Sequence, residues 1–161
     1  MPTVREFMTK DVVTIDAEKT VFEAAELMTQ KEISDLVVIE GKKPIGIVTE
    51  RDFVRRVVAK RLPLNCKVSE IMTTPLWVVY ADNSLKEAAR KMLARKIRRL
   101  PVLEKNELVG IITATDFAKH LSKKTITEEI LEIFGHYSAP DFFDKPENPD
   151  NVHASEKAGK T

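Results

Sequence analysis

Few residues in this chain could do chemistry, and their spacing excludes most of the usual kinds. His120, His136 and His153 lie far apart with no ligand spacing, and Cys66 is the single cysteine. A metal site, a cysteine-based zinc site and a disulfide framework are therefore not expected. Cys66 reads as an inert linker residue. There is no P-loop and no Gly-x-Gly-x-x-Gly, only five glycines occur, and no Ser/His or Cys/His pairing can be argued. No catalytic constellation is present, and an enzyme is not expected. What remains is one polar spacing that occurs twice, Thr49-x-x-Asp52 and Thr113-x-x-Asp116, and the adjacent arginines Arg98 and Arg99. A hydroxyl followed three residues later by a carboxylate, just ahead of a helix, caps the helix's first turn. The two arginines read equally as a solvated charged face.

The spacing recurs because the whole chain repeats. A shift of 64 residues lays 4–58 on 68–122 without a gap, and 18 of the 55 positions are identical. Each copy opens on a short β-rich run, Val12–Ile15 or Leu76–Val79. Thr20 with Glu23, and Ser84 with Glu87, are capping boxes that open a helix. Val21, Ala24, Ala25 and Met28, and then Leu85, Ala88, Ala89 and Met92, recur at helical spacing. Two strands joined by a polar turn follow, Leu36–Ile39 with Ile45–Thr49 and Leu100–Leu103 with Leu108–Thr113. A second helix starts near Asp52 or Asp116. The unit is β-α-β-β-α. At about 55 residues one unit is small for independent stability, so the copies should pack on each other with pseudo-twofold symmetry.

The chain has 161 residues, 43% of them hydrophobic and 32% charged, which is enough apolar material for a core. No apolar run approaches the roughly 20 residues of a membrane span. The N-terminus has charges from Arg5 onward and no apolar stretch, so neither a signal peptide nor a membrane attachment is expected and a cytoplasmic location is. Residues 125–161 hold eight acids against three lysines, which leaves 1–124 with a surplus of six positive charges. A moderately basic body suits an anionic ligand.

The heptads Gly46-Ile-Val-Thr-Glu-Arg-Asp52 and Gly110-Ile-Ile-Thr-Ala-Thr-Asp116 resemble the G-h-x-T-x-x-D signature of CBS domains, the cystathionine β-synthase-type regulatory repeat. The lead-ins Phe7-Met-Thr9 and Ile71-Met-Thr73, and the run from Ile97 to Val102, fit the same pattern. The resemblance covers about residues 4–124. It implies an α+β fold of two tandem β-α-β-β-α CBS repeats, a Bateman module, without an attached enzyme or channel. The expected division is 1–63, 64–124 and a C-terminal segment, 125–161. In that segment Ile126, Ile130, Leu131 and Phe134 predict a helix over 125–134 that docks on the module or its dimer mate. Beyond about 145, composition predicts disorder or a loosely attached tail.

The resemblance also implies a function: a non-enzymatic module that binds AMP, ADP, ATP or S-adenosylmethionine in two clefts between the repeats. It forms a homodimer and relays binding to a regulated partner protein. No cofactor is required. In the first cleft Asp116 would accept from both ribose hydroxyls, using its two acceptor oxygens. Thr113 and Thr115 would donate to the α-phosphate near a helix N-terminus. Val12, Val13, Ile33 and Ser34 would form the adenine wall. The second cleft would use Thr49 and Asp52 with Leu76, Trp77, Ile97 and Arg98, with Arg99 beside it. Guanidiniums suit phosphate, so the Arg-bearing cleft should favour more of it. Arg51 stands where the other copy has Thr115, and either contacts phosphate or crowds it out. Trp77 reads as an adenine platform or as a core or dimer-interface residue. Both aspartates have the capping role as an alternative, and the two roles can coexist. Two other functions compete. One is nucleic-acid binding through the basic faces that carry Arg51, Arg55, Arg56, Lys60, Arg61, Lys119, Lys123 and Lys124. The other is a ligand-free structural dimeriser.

Overall fold

The structure is a computed structural model and describes residues 2–121, with the side chains of His120 and Leu121 left aside. The helix expected over 125–134, the tail beyond it, and Lys123 and Lys124 lie outside the described residues.

The fold consists of two matching three-stranded sheets. In the first repeat they are β1 (Thr14–Asp16), β2 (Asp35–Glu40) and β3 (Lys43–Thr49), in that order; in the second, β4 (Val79–Tyr80), β5 (Arg99–Glu104) and β6 (Glu107–Thr113). The first pair in each sheet is parallel and the second is an antiparallel hairpin. Both hairpins shift register at the same place, Val38/Ile39 and Val102/Leu103. The parallel pairs are bridged by α2 (Val21–Lys31) and α4 (Leu85–Arg95), which begin at the expected capping boxes. Glu23 N–H donates to Thr20 Oγ1 at 3.1 Å and Glu87 N–H to Ser84 Oγ at 3.2 Å. Each helix ends on a left-handed residue, Glu32 (φ 53°) or Lys96 (φ 54°), which turns the chain back toward the sheet.

The structure corrects two boundaries. The first strands are shorter and later than their β-rich runs. Val12 and Val13, and Leu76 to Val78, stay outside the ladder, because β1 pairs only from Val37 onward and β4 only from Val102. The closing helices start two residues earlier than expected. α3 (Glu50–Asp52) runs directly into a π-helical stretch, Phe53–Val58, and α5 spans Ala114–Leu121. The reason is local: Thr49 is an N-cap, which makes Asp52 the third helical residue rather than the first. Asp116 holds the same position after Thr113.

The repeats exchange their leading segments, which composition alone does not reveal. A short helix, α1 (Val4–Phe7), packs Val4 and Phe7 into the core of the second repeat, among Leu85, Ala88, Leu100 and Ile112. The matching 3-10 turn, Val68–Glu70, places Val68 and Ile71 in the core of the first repeat, among Val21, Leu36 and Val48. Bridges between Thr9 and Ile111 and between Thr73 and Ile47 continue the exchange. Burying each Val or Phe side chain contributes about 1.5–3 kcal/mol, so the exchange ties the repeats together through their cores. Gly46 and Gly110 make room for it. A Cβ on Gly110 would lie 2.5 Å from Met8 Sδ and 3.0 Å from Thr9 O; on Gly46 it would lie 2.6 Å from Met72 Sδ. The glycine of each heptad and the methionine of the opposite lead-in are two halves of one contact.

Candidate functional site

An open cleft of about 1100 Å³ lies where the repeats meet. One wall comes from the first repeat and carries Val12, Val13, Ile33 and Ser34. The other is the end of the second repeat, with Ile111, Thr113 and Thr115. These six predicted residues, Val12, Val13, Ile33, Ser34, Thr113 and Thr115, come from segments about 80 to 100 residues apart in the chain. Local structure accounts for Ile33, Ser34 and Thr115. Ile33 follows the left-handed Glu32, with its N–H on Met28 O at 3.0 Å. Ser34 just precedes β2, and Thr115 sits in the first turn of α5.

Asp116 lies behind Thr113 rather than on the cleft lining. It is 8% exposed. Its Oδ2 accepts from Thr113 N–H at 2.8 Å and Thr113 Oγ1 at 3.0 Å, and its own N–H donates to Thr113 Oγ1 at 3.3 Å. This is a capping box made by the signature residues themselves. It fixes the Thr113 hydroxyl at the N-terminus of α5, where the helix dipole favours an anion or an electron-rich oxygen.

The equivalent positions of the other half are more heavily engaged. Asp52 Oδ2 accepts from Thr49 N–H at 2.9 Å and from Thr49 Oγ1 at 3.3 Å. Its Oδ1 accepts from Thr73 Oγ1 at 2.9 Å and faces Arg56 Nε at 3.6 Å. Arg56 in turn donates to the carbonyls of Ile71 (3.1 Å) and Met72 (2.8 Å), so this member of the basic face is a structural tie. Leu76 and Trp77 follow Thr73 by three and four residues. Trp77 packs on the core of the second repeat together with Ile97, and Arg95 stacks over its ring, 3.7 Å from the centroid. A cation thus occupies a ring face that could carry an adenine. Arg99 pairs with Asp35, Nε to Oδ2 at 3.1 Å, and among the described residues this buried Nε makes no hydrogen bond. Asp35 and Arg99 are the same position in the two copies. Their ion pair crosses between the repeats and draws Arg99 toward the first cleft, which Asp35 lines. Arg51 is exposed, and both it and Arg98 are engaged within the chain.

Sequence reasoning missed several lining residues: Thr9, Asp11, Glu32, Glu50 and Lys119. Thr9 carried a signal, because it belongs to the lead-in shared by both copies. The acids carried none, because they differ between copies. Among the described residues no group of three or more His, Cys, Asp or Glu could hold a metal ion, and no helix is long and apolar enough to cross a membrane.

Comparison with known proteins agrees with this architecture. The CBS-domain family model matches residues 4–59 and 68–123. The CBS domain-containing protein YhcV of Bacillus subtilis is 36% identical over 118 residues, covering 73% of this chain and 84% of that protein. The crystal structure of the CBS domain protein NE2398 superposes with a TM-score of 0.71 at 30% identity, over 76% of this chain and 99% of that one. The structure of CBSX2 in complex with AMP gives a TM-score of 0.65 at 28% identity, over 76% and 98%.

Proposed function

The chain belongs to the CBS-domain family, and from that premise we propose that it is a non-catalytic regulatory module that binds an adenosine derivative between its two repeats. The observation that carries the reading is the first cleft. Apolar groups from one repeat face two threonine hydroxyls and a helix N-terminus from the other, so one ligand bridges both halves. Val12, Val13, Ile33 and Ser34 sandwich the base. Thr113 and Thr115 line the sugar-phosphate side, and Asp116, set behind Thr113, orients its hydroxyl. A similar protein is described as binding AMP, which fits AMP, ADP, ATP or S-adenosylmethionine as the ligand class. The equivalent site around Thr49, Arg51, Asp52, Leu76, Trp77, Ile97, Arg98 and Arg99 is the weaker of the two, because Asp52 is already held by Thr49 and Thr73. The division into repeats 1–63 and 64–124 and a segment 125–161, a homodimer and a regulated partner belong to the same proposal. Binding has to favour one arrangement of the repeats over another for a partner to read it.

Thermal stability against AMP, ADP, ATP, S-adenosylmethionine, GTP and a short RNA tests the reading. A ligand bound only by the native state raises Tm by mass action. An adenine compound is expected to raise Tm of the wild type, and Asp116→Ala to abolish the response. A response to RNA alone would favour the nucleic-acid reading. The absence of any adenine response at millimolar concentration would contradict the proposal.

A further inference from the structure

The cleft's charge points to what it excludes. Its lining carries four carboxylates, on Asp11, Glu32, Asp35 and Glu50, against one ammonium, on Lys119. Arg99 offsets Asp35. Three carboxylates and one lysine remain on the lining of this one cleft, close enough to anything bound there for their charge to be felt at low salt. The 64-residue shift makes the pattern sharper. Asp11, Glu32, Asp35 and Glu50 become Pro75, Lys96, Arg99 and Ala114 in the second copy, while Lys119 corresponds to Arg55. Every acidic position of this cleft is uncharged or basic in its counterpart, and its one base stays basic. The four acids thus reverse the local charge of one half relative to the other. They do not assemble a metal site, because among the described residues no such group of three exists.

We infer that the first cleft selects among adenosine derivatives by charge: it takes one whose 5′ substituent is uncharged or cationic and refuses a nucleoside polyphosphate. The inference rests on the adenosine reading of this cleft. The apolar walls of Val12, Val13 and Ile33 hold the base whatever the 5′ group. Like charges across a shared site raise the free energy of a bound triphosphate and leave a neutral thioether unaffected, and they favour a sulfonium. Asp11, Glu32 and Glu50 are the specificity residues, exposed and, among the described residues, without the arginine partner that Asp35 has.

The experiment is a titration of the full chain followed by backbone and indole NMR signals. The amides of Ser34 and Thr115 report the first cleft, and the indole N–H of Trp77, the single tryptophan, reports the other half. The probes are 5′-methylthioadenosine, S-adenosylmethionine and ATP, the last with and without magnesium. At low salt the first two are expected to move Ser34 and Thr115 with a Kd at least about tenfold below that of ATP, a gap of about 1.4 kcal/mol. Added salt narrows the gap, as does the isosteric double variant Glu32→Gln/Glu50→Gln, whose unchanged remaining amides verify its fold. ATP moving Ser34 and Thr115 as tightly as the other two overturns the inference and leaves the adenosine reading standing. So does a gap that the double variant does not alter. Failure of all three probes to move Ser34 and Thr115 overturns the adenosine reading of the cleft as well.

Discussion

Asp52 and Asp116 occupy the same position in two copies of one signature, yet they hold different amounts of structure. Both close a capping box with their threonine, but only Asp52 also receives Thr73 from the opposite lead-in; Thr9, the counterpart of Thr73, donates no such bond to Asp116 among the described residues. Asp116→Ala is expected to cost about 1–2 kcal/mol, the range of a lost cap. Asp52→Ala is expected to cost about 2–4 kcal/mol, because a second charge-assisted bond goes with it. Urea unfolding of the two variants checks this, and equal losses would contradict it. Gly110→Ala forces Cβ against Met8 Sδ and Thr9 O and is expected to destabilise by about 1–3 kcal/mol. Adding Met8→Ala should recover part of that loss, since the sulfur yields and the backbone oxygen does not. A purely additive double variant would remove the pairing of these residues. The Thr-x-x-Asp spacing made the capping role legible in the sequence. That Asp52 is also tied across the repeats was not legible, because Thr73 reaches it only through the exchanged lead-in.

At the scale of elements, local chemistry set most of what was readable. Capping boxes fixed the starts of α2 and α4, and paired apolar runs joined by a polar turn fixed the hairpins. The first strands were misjudged because a β-rich run extends only where a partner strand is available. α1 and its 3-10 counterpart were missed because each is a single turn whose stability comes from the other repeat's core. The same caps predict the acid response. Backbone and side-chain bonds to Thr20 and Ser84 hold Glu23 and Glu87 below the ordinary glutamate value of 4.5, and Arg5 does the same for Glu104. As pH falls, the unfolded chain takes up protons at these sites first, so their contribution is complete above about pH 4.5 and is lost as pH drops through the lower folded values. The urea midpoint is expected to hold from pH 7 to 5 and fall below 4.5. Glu23→Gln/Glu87→Gln should flatten that fall; an unchanged slope would place the acid sensitivity elsewhere.

Across the whole molecule, the exchange of lead-ins makes each repeat the completion of the other. Phe7→Ala alters the first repeat in sequence but removes a side chain from the core of the second. Hydrogen exchange should therefore rise first in β5 and β6, with a total loss of about 3–5 kcal/mol for a Phe-to-Ala change. Earlier loss of protection in β2 and β3 would contradict the exchange. The same geometry places the cleft at the junction, so that a ligand bridging Val13 and Thr115 reads both halves at once. Calorimetric titration of AMP and of 5′-methylthioadenosine into the wild type and Ser34→Trp tests this most directly. The substitution fills the cleft from an exposed position and leaves both capping boxes intact. Saturable one-site binding of at least one ligand by the wild type is expected, and its loss in Ser34→Trp at unchanged Tm. Binding that survives Ser34→Trp unaltered, or no heat from either ligand in the wild type, would contradict it.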